Sequence, residues 1–229
     1  MGKIKVGTSG YSYSWNEEDP TAFEWYYHQG FPTVEVNASF YRFPMSSWIN
    51  TWKECPVDFD FAIKVNRSIT HYKRMDEDAL GTWKKFQSGF EDIYDRITFW
   101  LFQMPPSFTA SQQNIDRILS FFRGLDLGNS AVLEFRHSSW WENKEVCREI
   151  GATYCSVDAP DLPRDIIPIN DAVYLRMHGR EEWYNSIYTN QQLQEIIHKL
   201  QELKVDKKYI YLNNDHGMLP NGRYLLKQV

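Results

Sequence analysis

The stretch Ala131-Val132-Leu133-Glu134-Phe135-Arg136-His137 begins as a buried strand and ends in ionisable side chains. Residues two apart in a strand share a face, so Glu134 and Arg136 lie on one side and Phe135 on the other. Burying one charge without a partner costs several kcal/mol. The stretch therefore predicts a core strand whose carboxyl end contributes paired charges to a polar site.

Seven other short apolar or β-branched runs have the character of strands. They are residues Ile4 to Val6, Thr33 to Val36, Phe59 to Val65, Ile97 to Phe102, Thr153 to Val157, Ala172 to Leu175 and Tyr209 to Leu212. Segments with helical periodicity separate most of them, among them Asp78 to Tyr94, Gln112 to Phe122 and Gln191 to Leu203. This alternation predicts an α/β fold, and eight strands favour a single (β/α)8 barrel of the TIM type over an open doubly wound sheet.

Two segments depart from the regular alternation. Asp161 to Asp171, between the sixth and seventh strands, contains Pro163 and Pro168 and cannot hold an ordinary helix. The last helix is expected to be short, since only Pro220 to Val229 are left for it. We therefore expect a compact barrel that is irregular around strands six to seven and at the C-terminus. With no linker or repeat in its 229 residues, it is predicted to be a single domain over residues 1–229.

The composition indicates which binding partners and which cellular compartment to expect. The net charge of −5 gives no basic footprint for general nucleic-acid binding or for anionic membrane surfaces. No stretch approaches ~18 uninterrupted apolar residues, and the amino terminus lacks a signal-peptide core, so we expect a cytoplasmic protein outside the membrane. Cys55, Cys147 and Cys155 lack the Cys-x-x-Cys spacing and predict free thiols.

Every predicted strand ends in polar or ionisable residues, at the edge where (β/α)8 barrels place their active sites. Polar residues two apart, such as Lys64 and Asn66 or Arg176 and His178, share one face of a strand, and the residue between them is apolar. We therefore predict that the polar face lines the lumen of the barrel. The candidate catalytic residues are Glu35, Glu134, Asp158 and His178. The candidate substrate-binding residues are Asn37, Tyr41, Lys64, Gln103, Arg136, Trp140, Arg176, Asn213, Asn214 and Asp215.

The strand-end motifs also occur in a recognisable order. They are Gly7-Thr8-Ser9-Gly10-Tyr11, Glu35-Val36-Asn37-Ala38-Ser39-Phe40-Tyr41-Arg42, Phe102-Gln103-Met104-Pro105-Pro106-Ser107-Phe108, Glu134-Phe135-Arg136-His137, Arg176-Met177-His178-Gly179 and Asn213-Asn214-Asp215. Together they resemble the motifs of the DUF72 (YecE-like) family over nearly the whole chain. Met104 and Met177 stand where leucine is common in that family. The resemblance implies a TIM-type barrel and the position of the site, but no reaction.

The residue types at the strand ends favour an anionic ligand. Arg136 and Arg176 suit bidentate binding of phosphate or carboxylate, and Lys64 adds a point charge. The imidazole of His178 and the three candidate carboxylates suit proton transfer near neutral pH, with the acid and the base left open. We therefore predict an enzyme, of hydrolase or lyase/isomerase type, that acts on a small anionic or phosphorylated substrate, with sugar-containing and nucleotide-containing compounds among the candidates.

Three alternatives stay open at this point, as does the oligomeric state. The charges can form an ion-pair network that only stabilises the barrel. The protein can bind nucleic acid or nucleotides without turnover, which the net charge does not favour. It can also be a metal-dependent phosphodiesterase like the endonuclease IV barrels, with ligands from Glu35, Glu134, Asp158, His178, Asp215 and His216. Lys64, Arg136 and Arg176 oppose a cation in the same lumen, so no metal or other cofactor is predicted.

Overall fold

The computed structural model of the protein describes residues 2–229. Eight strands within this range form one sheet in the order β1-β8-β7-β6-β5-β4-β3-β2. A parallel bridge between Ser9 and Glu35 connects the chain after β1 to β2. The strands are β1 (Ile4–Thr8), β2 (Thr33–Val36), β3 (Asp60–Lys64), β4 (Ile97–Gln103), β5 (Ala131–Glu134), β6 (Thr153–Asp158), β7 (Ala172–Met177) and β8 (Lys207–Leu212). The predicted α/β barrel of the TIM type is confirmed.

Helices follow most strands, as crossover connections between parallel strands require. They are α1 (Ala22–His28), α2 (Ala38–Tyr41), α3 (Ser46–Lys53), α4 (Ala79–Ser88), α5 (Gln112–Arg123), α6 (Ser139–Glu142), α7 (Glu145–Glu149), α8 (Asn190–Glu202) and α9 (Met218–Leu226). A π-helical turn covers Ser68–Tyr72, and 3-10 turns cover Glu91–Arg96, Gly128–Ser130 and Asp215–Gly217.

The sequence-based helix boundaries hold in two cases and fail in a third. The segments predicted from Gln112 and from Gln191 correspond to α5 and α8. The helix predicted over Asp78 to Tyr94 is wrong in its second half, because α4 ends at Ser88 with Gly89 as its C-cap and a separate 3-10 turn follows. The proline-containing segment from Asp161 to Asp171 holds no helix, as predicted.

The chain divides into two compact units. The first comprises the residues up to Glu35 together with Cys155–Val229, and the second comprises Val36–Tyr154. The single domain over residues 1–229 stays a prediction.

In the first unit, β8 lies between β1 and β7, with Gly7 opposite Tyr211 in the register. Only glycine fits at position 7, because a Cβ there would lie 2.4 Å from the Thr33 carbonyl oxygen. Helix α8 begins with a capping box in which the Thr189 and Gln192 side chains satisfy each other's backbone N–H groups. Its apolar face, formed by Leu193, Ile196, Ile197 and Leu200, is buried.

In the second unit, β3, β4 and β5 are neighbours in parallel register, with Gln103 opposite Glu134. Aromatic side chains build much of its core. Trp83 of α4 meets Trp100 of β4 edge to face, with ring centroids 5.1 Å apart, and Phe102 contacts both Trp83 and Phe122 of α5. Such rings bury large apolar areas and hold the three strand ends at fixed positions.

The structure also tests what the sequence predicts about the cysteines and about membrane-spanning helices. Cys55, Cys147 and Cys155 are free thiols, as predicted, and the last two are buried. Burial raises the pKa of the Cys147 thiol, which keeps it protonated. Within residues 2–229, no helix combines the length and the apolar character needed to cross a membrane.

Candidate functional site

The first unit contains a closed polar cluster around Glu35. The Arg176 guanidinium donates from Nη2 to Glu35 Oε1 at 2.6 Å, and the Tyr174 hydroxyl donates to Glu35 Oε2 at 2.6 Å. Arg176 Nη2 also lies 3.4 Å from Ser9 Oγ. All four residues are buried, with Glu35 and Arg176 wholly removed from solvent. Both carboxylate oxygens are therefore occupied by protein donors.

Strand phase explains why these groups meet. Tyr174 and Arg176 are two apart on β7 and share the face that looks at Glu35. Leu175, between them, lines a cavity with Ile196 of α8 on the opposite face. Burial and the neighbouring Glu35 carboxylate raise the pKa of Tyr174 well above its usual value, so the phenol stays protonated and donates. The predicted phase of this strand is confirmed.

A second cluster in the first unit holds Asp158 at the end of β6. Arg180 Nε lies 3.0 Å from Asp158 Oδ2, and the Tyr188 hydroxyl lies 3.1 Å from Asp158 Oδ1. Burial and the nearby Asp158 charge raise the pKa of Tyr188. The Gly179 N–H donates to the same hydroxyl at 2.9 Å, which anchors the loop after β7. This carboxylate, too, is bound by an arginine and a tyrosine.

The other predicted residues of the first unit form a histidine–amide pair and its support. His178 is fully buried, and its Nδ1 lies 3.0 Å from the Asn213 amide nitrogen, with the rings of Trp183 and Tyr184 within 5.4 Å. Asn214 is buried and donates to the Ser186 carbonyl oxygen and to Asn221 Oδ1. Asp215 begins a 3-10 turn and is part-exposed. His178 thus has an amide among its partners.

The second unit contains the ion pair of the stretch that ends β5. Arg136 Nε lies 2.6 Å from Glu134 Oε1, and Glu134 is fully buried. The Arg136 side chain keeps 9% of its surface exposed. Phe135 points the other way and stacks on Trp140 with ring centroids 4.1 Å apart. The predicted alternation of Glu134, Phe135 and Arg136 is therefore confirmed.

Lys64, at the end of β3, is positioned by the short helix α2. Ser39 Oγ donates to the Lys64 carbonyl oxygen at 2.7 Å, and the Asn66 amide donates to the Ser39 carbonyl oxygen at 3.0 Å. These bonds tie α2 to the strand end. The Lys64 ammonium lies 4.4 Å from the centroid of the Phe40 ring, a cation–π distance.

Around His71, five ionisable groups form what we call the His71 cluster: His71, Lys64, Arg67, Arg74 and Arg136. The imidazole contacts the Phe40 ring edge to face at 4.9 Å, and its Nδ1 lies 2.9 Å from Thr70 Oγ1. Burial and then the charges of Lys64, Arg74, Arg136 and Arg67 lower the pKa of His71 to about 4. The cluster therefore concentrates positive charge at a half-buried site in a protein whose net charge is −5.

The turn that carries this cluster has an unusual backbone. Asn66 Oδ1 accepts hydrogen bonds from the N–H and the hydroxyl of Ser68, which starts the π-helical turn Ser68–Tyr72. Arg74 and Met75 follow with φ of +49° and +57°, in the left-handed region that side chains rarely adopt. Strained residues and single π-helical turns gather at functional sites. The Arg74 guanidinium reaches Ser107 Oγ at 2.9 Å.

The remaining predicted residues of the second unit lie in different surroundings. Tyr41, the last residue of α2, is 63% exposed. Asn37 precedes α2 and is part-exposed, while Gln103 is nearly buried and bonds the Met104 carbonyl oxygen. Trp140 is fully buried, and its indole N–H donates to the Phe108 carbonyl oxygen at 2.6 Å. The structure therefore places Trp140 in the core and does not bring it to the His71 cluster.

Three residues of this region were missed by the sequence reasoning: Arg67, His71 as a central group, and Arg74. The third strand was followed only to Asn66, so none of the three was among the candidate site residues. A usable signal was the density of basic residues in the eleven positions from Lys64 to Arg74, which also contain Arg67 and Lys73. Their convergence depends on the π-helical turn, which has no sequence periodicity of its own.

Metal ligation was the alternative that the sequence left open. Within residues 2–229, no group of three or more histidine, cysteine, aspartate or glutamate side chains is arranged to hold a metal ion. Of the six ligands considered, Glu35, Glu134 and Asp158 are instead paired with arginines. His216 and Asp215 lie 3.8 Å apart at the surface.

Comparison with known proteins places the chain among related structures. A DUF72 family protein from Thermotoga maritima MSB8 is 26% identical, with a TM-score of 0.85 and 98% of each chain covered. Two structures of a DUF72 family protein from Enterococcus faecalis V583 are 19% and 18% identical, with TM-scores of 0.78 and 0.75. They cover 98% and 100% of this chain, and 94% and 98% of their own. At these lower identities the likeness shows the fold alone.

No match was found among curated proteins. The family described as "Protein of unknown function DUF72" matches residues 5–221, which is nearly the whole chain and includes every strand-end motif quoted above. The resemblance stated from those motifs is confirmed, and the chain belongs to the DUF72 family.

Proposed function

We propose that the protein is an enzyme that binds a small phosphorylated substrate at the His71 cluster and acts on it by general acid–base chemistry. One observation carries the proposal: the Lys64 ammonium and the His71 ring contact the same Phe40 ring, and the charges of Lys64, Arg74, Arg136 and Arg67 all act on that half-buried imidazole and lower its pKa. Like charges held together repel each other, and an anion bound among them relieves that repulsion.

The composition of the cluster suits a phosphate group. Glu134 neutralises Arg136 in part, and the cluster otherwise contributes three further cations. Arginine forks bind phosphate oxygens in bidentate fashion, and Lys64 adds a compact point charge. A phosphate of charge near −2 therefore fits better than a single carboxylate.

Substrate charge also supplies a reason for His71 to take part in proton transfer. With a pKa of about 4, the free imidazole is neutral at physiological pH and is a weak base. A phosphate bound by the four cations cancels much of their effect and moves the pKa of His71 back toward its usual value near ~6.5. General acid–base groups work best when their pKa lies near the working pH. The substrate thus activates the group that acts on it.

The proposal assigns other roles to the carboxylates of the first unit. Glu35 and Asp158 are each bound by an arginine and a tyrosine. Both oxygens of each carboxylate already accept hydrogen bonds from protein donors. We therefore propose that these two residues position strands β2 and β6, and that Glu134 and His71 are the catalytic candidates.

Isothermal titration calorimetry with ribose 5-phosphate, and with ribose as the uncharged control, tests the anion site. We expect wild type to bind only the phosphorylated sugar, and Lys64→Gln to weaken that binding by about tenfold, the loss of one charge-assisted contact. The matched control is Lys53→Gln, because Lys53 is an exposed lysine of the same unit that pairs with Asp92. Equal binding by wild type and Lys64→Gln, or equal binding of ribose and its phosphate, contradicts the proposal.

A further inference from the structure

We infer that the phosphorylated ligand of the His71 cluster carries a nucleobase, which stacks on a platform formed by Tyr41, Arg67 and Tyr72. The inference rests on the proposed function, since it identifies the substrate class of the same site. It starts from an observation that the anion site does not need: two large aromatic rings stand in solvent beside a cluster of cations.

The platform is held together by one guanidinium. Arg67 Cζ lies 5.6 Å from the ring centroid of Tyr41 and 5.6 Å from that of Tyr72, within the range of cation–π contacts. The two tyrosines are 63% and 68% exposed. Arg67 therefore orders both rings while leaving most of their surface open to a ligand.

The backbone sets this platform next to the phosphate site. Tyr41 is the last residue of α2, and its ring meets that of Phe40 edge to face at 5.1 Å. Phe40 in turn contacts the Lys64 ammonium and the His71 ring. Tyr72 is the last residue of the π-helical turn and directly follows His71. A ligand whose phosphate binds at Lys64 therefore lies one aromatic ring, that of Phe40, away from the platform.

The chemistry of the platform favours a nucleobase over a sugar or a peptide. Stacking of a base on an aromatic ring contributes about 1–3 kcal/mol, and an arginine plane adds to it. A neutral sugar needs no surrounding cations, whereas a nucleotide offers a flat π-surface and a phosphate in one molecule. The pairing of Tyr41 and Tyr72 with four cations matches both parts of a nucleotide.

The same chemistry occurs in a free nucleotide and in a nucleotide of a single strand. The net charge of −5 weakens binding of a long polyanion, because the charges outside the cluster repel it. We therefore assign the site to a free nucleotide.

The experiment measures affinities of wild type for ribose 5-phosphate, adenosine 5′-monophosphate and a short oligodeoxyadenylate by calorimetry. We expect the nucleotide to bind about tenfold more tightly than the sugar phosphate, in line with one stacked base. Tyr72→Leu should lower that ratio several-fold, whereas Tyr72→Phe should keep it. Tyr72 is exposed, so neither change threatens the fold.

The outcomes separate this inference from the proposal on which it rests. Equal affinity of wild type for the nucleotide and the sugar phosphate overturns the nucleobase inference and leaves the phosphate site in place. Equal weakening of the binding of both ligands in Lys64→Gln, with the ratio of their affinities kept, supports the shared site. Failure of wild type to bind either ligand overturns the proposed function itself. Tighter binding of the oligonucleotide than of the mononucleotide overturns the assignment to a free nucleotide.

Discussion

Two buried glutamate–arginine pairs, one in each unit, show how differently the same residue types can be used. Glu35–Arg176 and Glu134–Arg136 have the same N···O distance of 2.6 Å, and both lie at or near the carboxyl ends of strands. The first is enclosed by Tyr174 and Ser9 and is fully buried. In the second, Arg136 keeps 9% exposure and acts on His71 together with three other cations.

This difference teaches that surroundings decide whether a buried ion pair serves the fold or a ligand. Both oxygens of Glu35 accept hydrogen bonds from protein donors and the pair is closed to solvent, so a ligand has no access to it. A pair that lies beside further positive charges still attracts an anion. Residue type alone does not separate these cases, and the following predictions test the separation.

The largest effect is expected from Glu35→Gln, which removes the charge and keeps the shape of the side chain. The Arg176 guanidinium then stays buried without its counter-charge, so we expect the free energy of unfolding to fall by about 3–5 kcal/mol. Urea denaturation monitored by circular dichroism measures this loss through the midpoint and slope.

Two controls show whether the loss comes from the unpaired charge. The double variant Glu35→Gln with Arg176→Met removes both charges and should recover much of the stability. Asp92→Asn breaks the exposed pair with Lys53 and should cost less than about 1 kcal/mol. A loss below that level for Glu35→Gln speaks against the closed cluster as a source of stability.

The second pair should respond differently, and Glu134→Gln tests this. Arg136 reaches solvent, so we expect a smaller loss of about 3 kcal/mol. Without the carboxylate that competes for Arg136, ribose 5-phosphate should bind several-fold more tightly, since the local charge becomes more positive. Calorimetry gives the affinity, and added ribose 5-phosphate should raise the melting temperature of this variant.

The contrast between the two variants is the sharp part of this test. Added ribose 5-phosphate should raise the free energy of unfolding of Glu134→Gln by more than that of wild type, because this variant binds the ligand more tightly. The increase for Glu35→Gln should be no larger than that for wild type. An equal increase in stability in both variants contradicts the interpretation that the Glu35 pair is structural and the Glu134 pair binds the ligand.

The fold could be predicted because strands and helices carry periodic signals. The eight apolar runs and the phase of Glu134, Phe135 and Arg136 depend only on strand alternation. The end of α4 was predicted less well. Apolar residues continue past Gly89 with helical spacing, and the chain there changes to a 3-10 turn instead. Boundaries of this kind depend on local capping and tertiary packing.

The candidate site could be predicted only in part, for a different physical reason. The prediction included Lys64, Glu134 and Arg136 because they lie at strand ends, where the alternation along the strand determines the direction of each side chain. Arg67 and Arg74 lie in a turn with π-helical and left-handed residues, so their directions have no periodic rule. The full burial of Trp140 could not be predicted, because it is decided by tertiary packing against Phe135 and Phe108.

The smallest effect concerns pH and the His71 cluster. The pKa of His71 is about 4 in the folded protein and near ~6.5 in an unfolded chain. The unfolded chain therefore takes up this proton first, so stability is fully present above pH ~6.5 and is lost as the pH falls toward 4. Solvent screening of the half-buried ring reduces the loss to about 1–2 kcal/mol. His71→Gln should remove this part of the pH dependence in urea denaturation.

The same titration connects stability to the proposed ligand. Because bound phosphate cancels the cations that lower the pKa of His71, saturating ribose 5-phosphate should raise that pKa by about one unit or more, read from the ring carbon–proton signals by NMR. His137 provides a control, since its Nδ1 bonds Ser139 and the cluster does not include it. A pKa of His71 that stays near 4 with ligand bound means that the phosphate does not lie among the four cations. An equal shift of His137 means that the effect is not confined to the cluster.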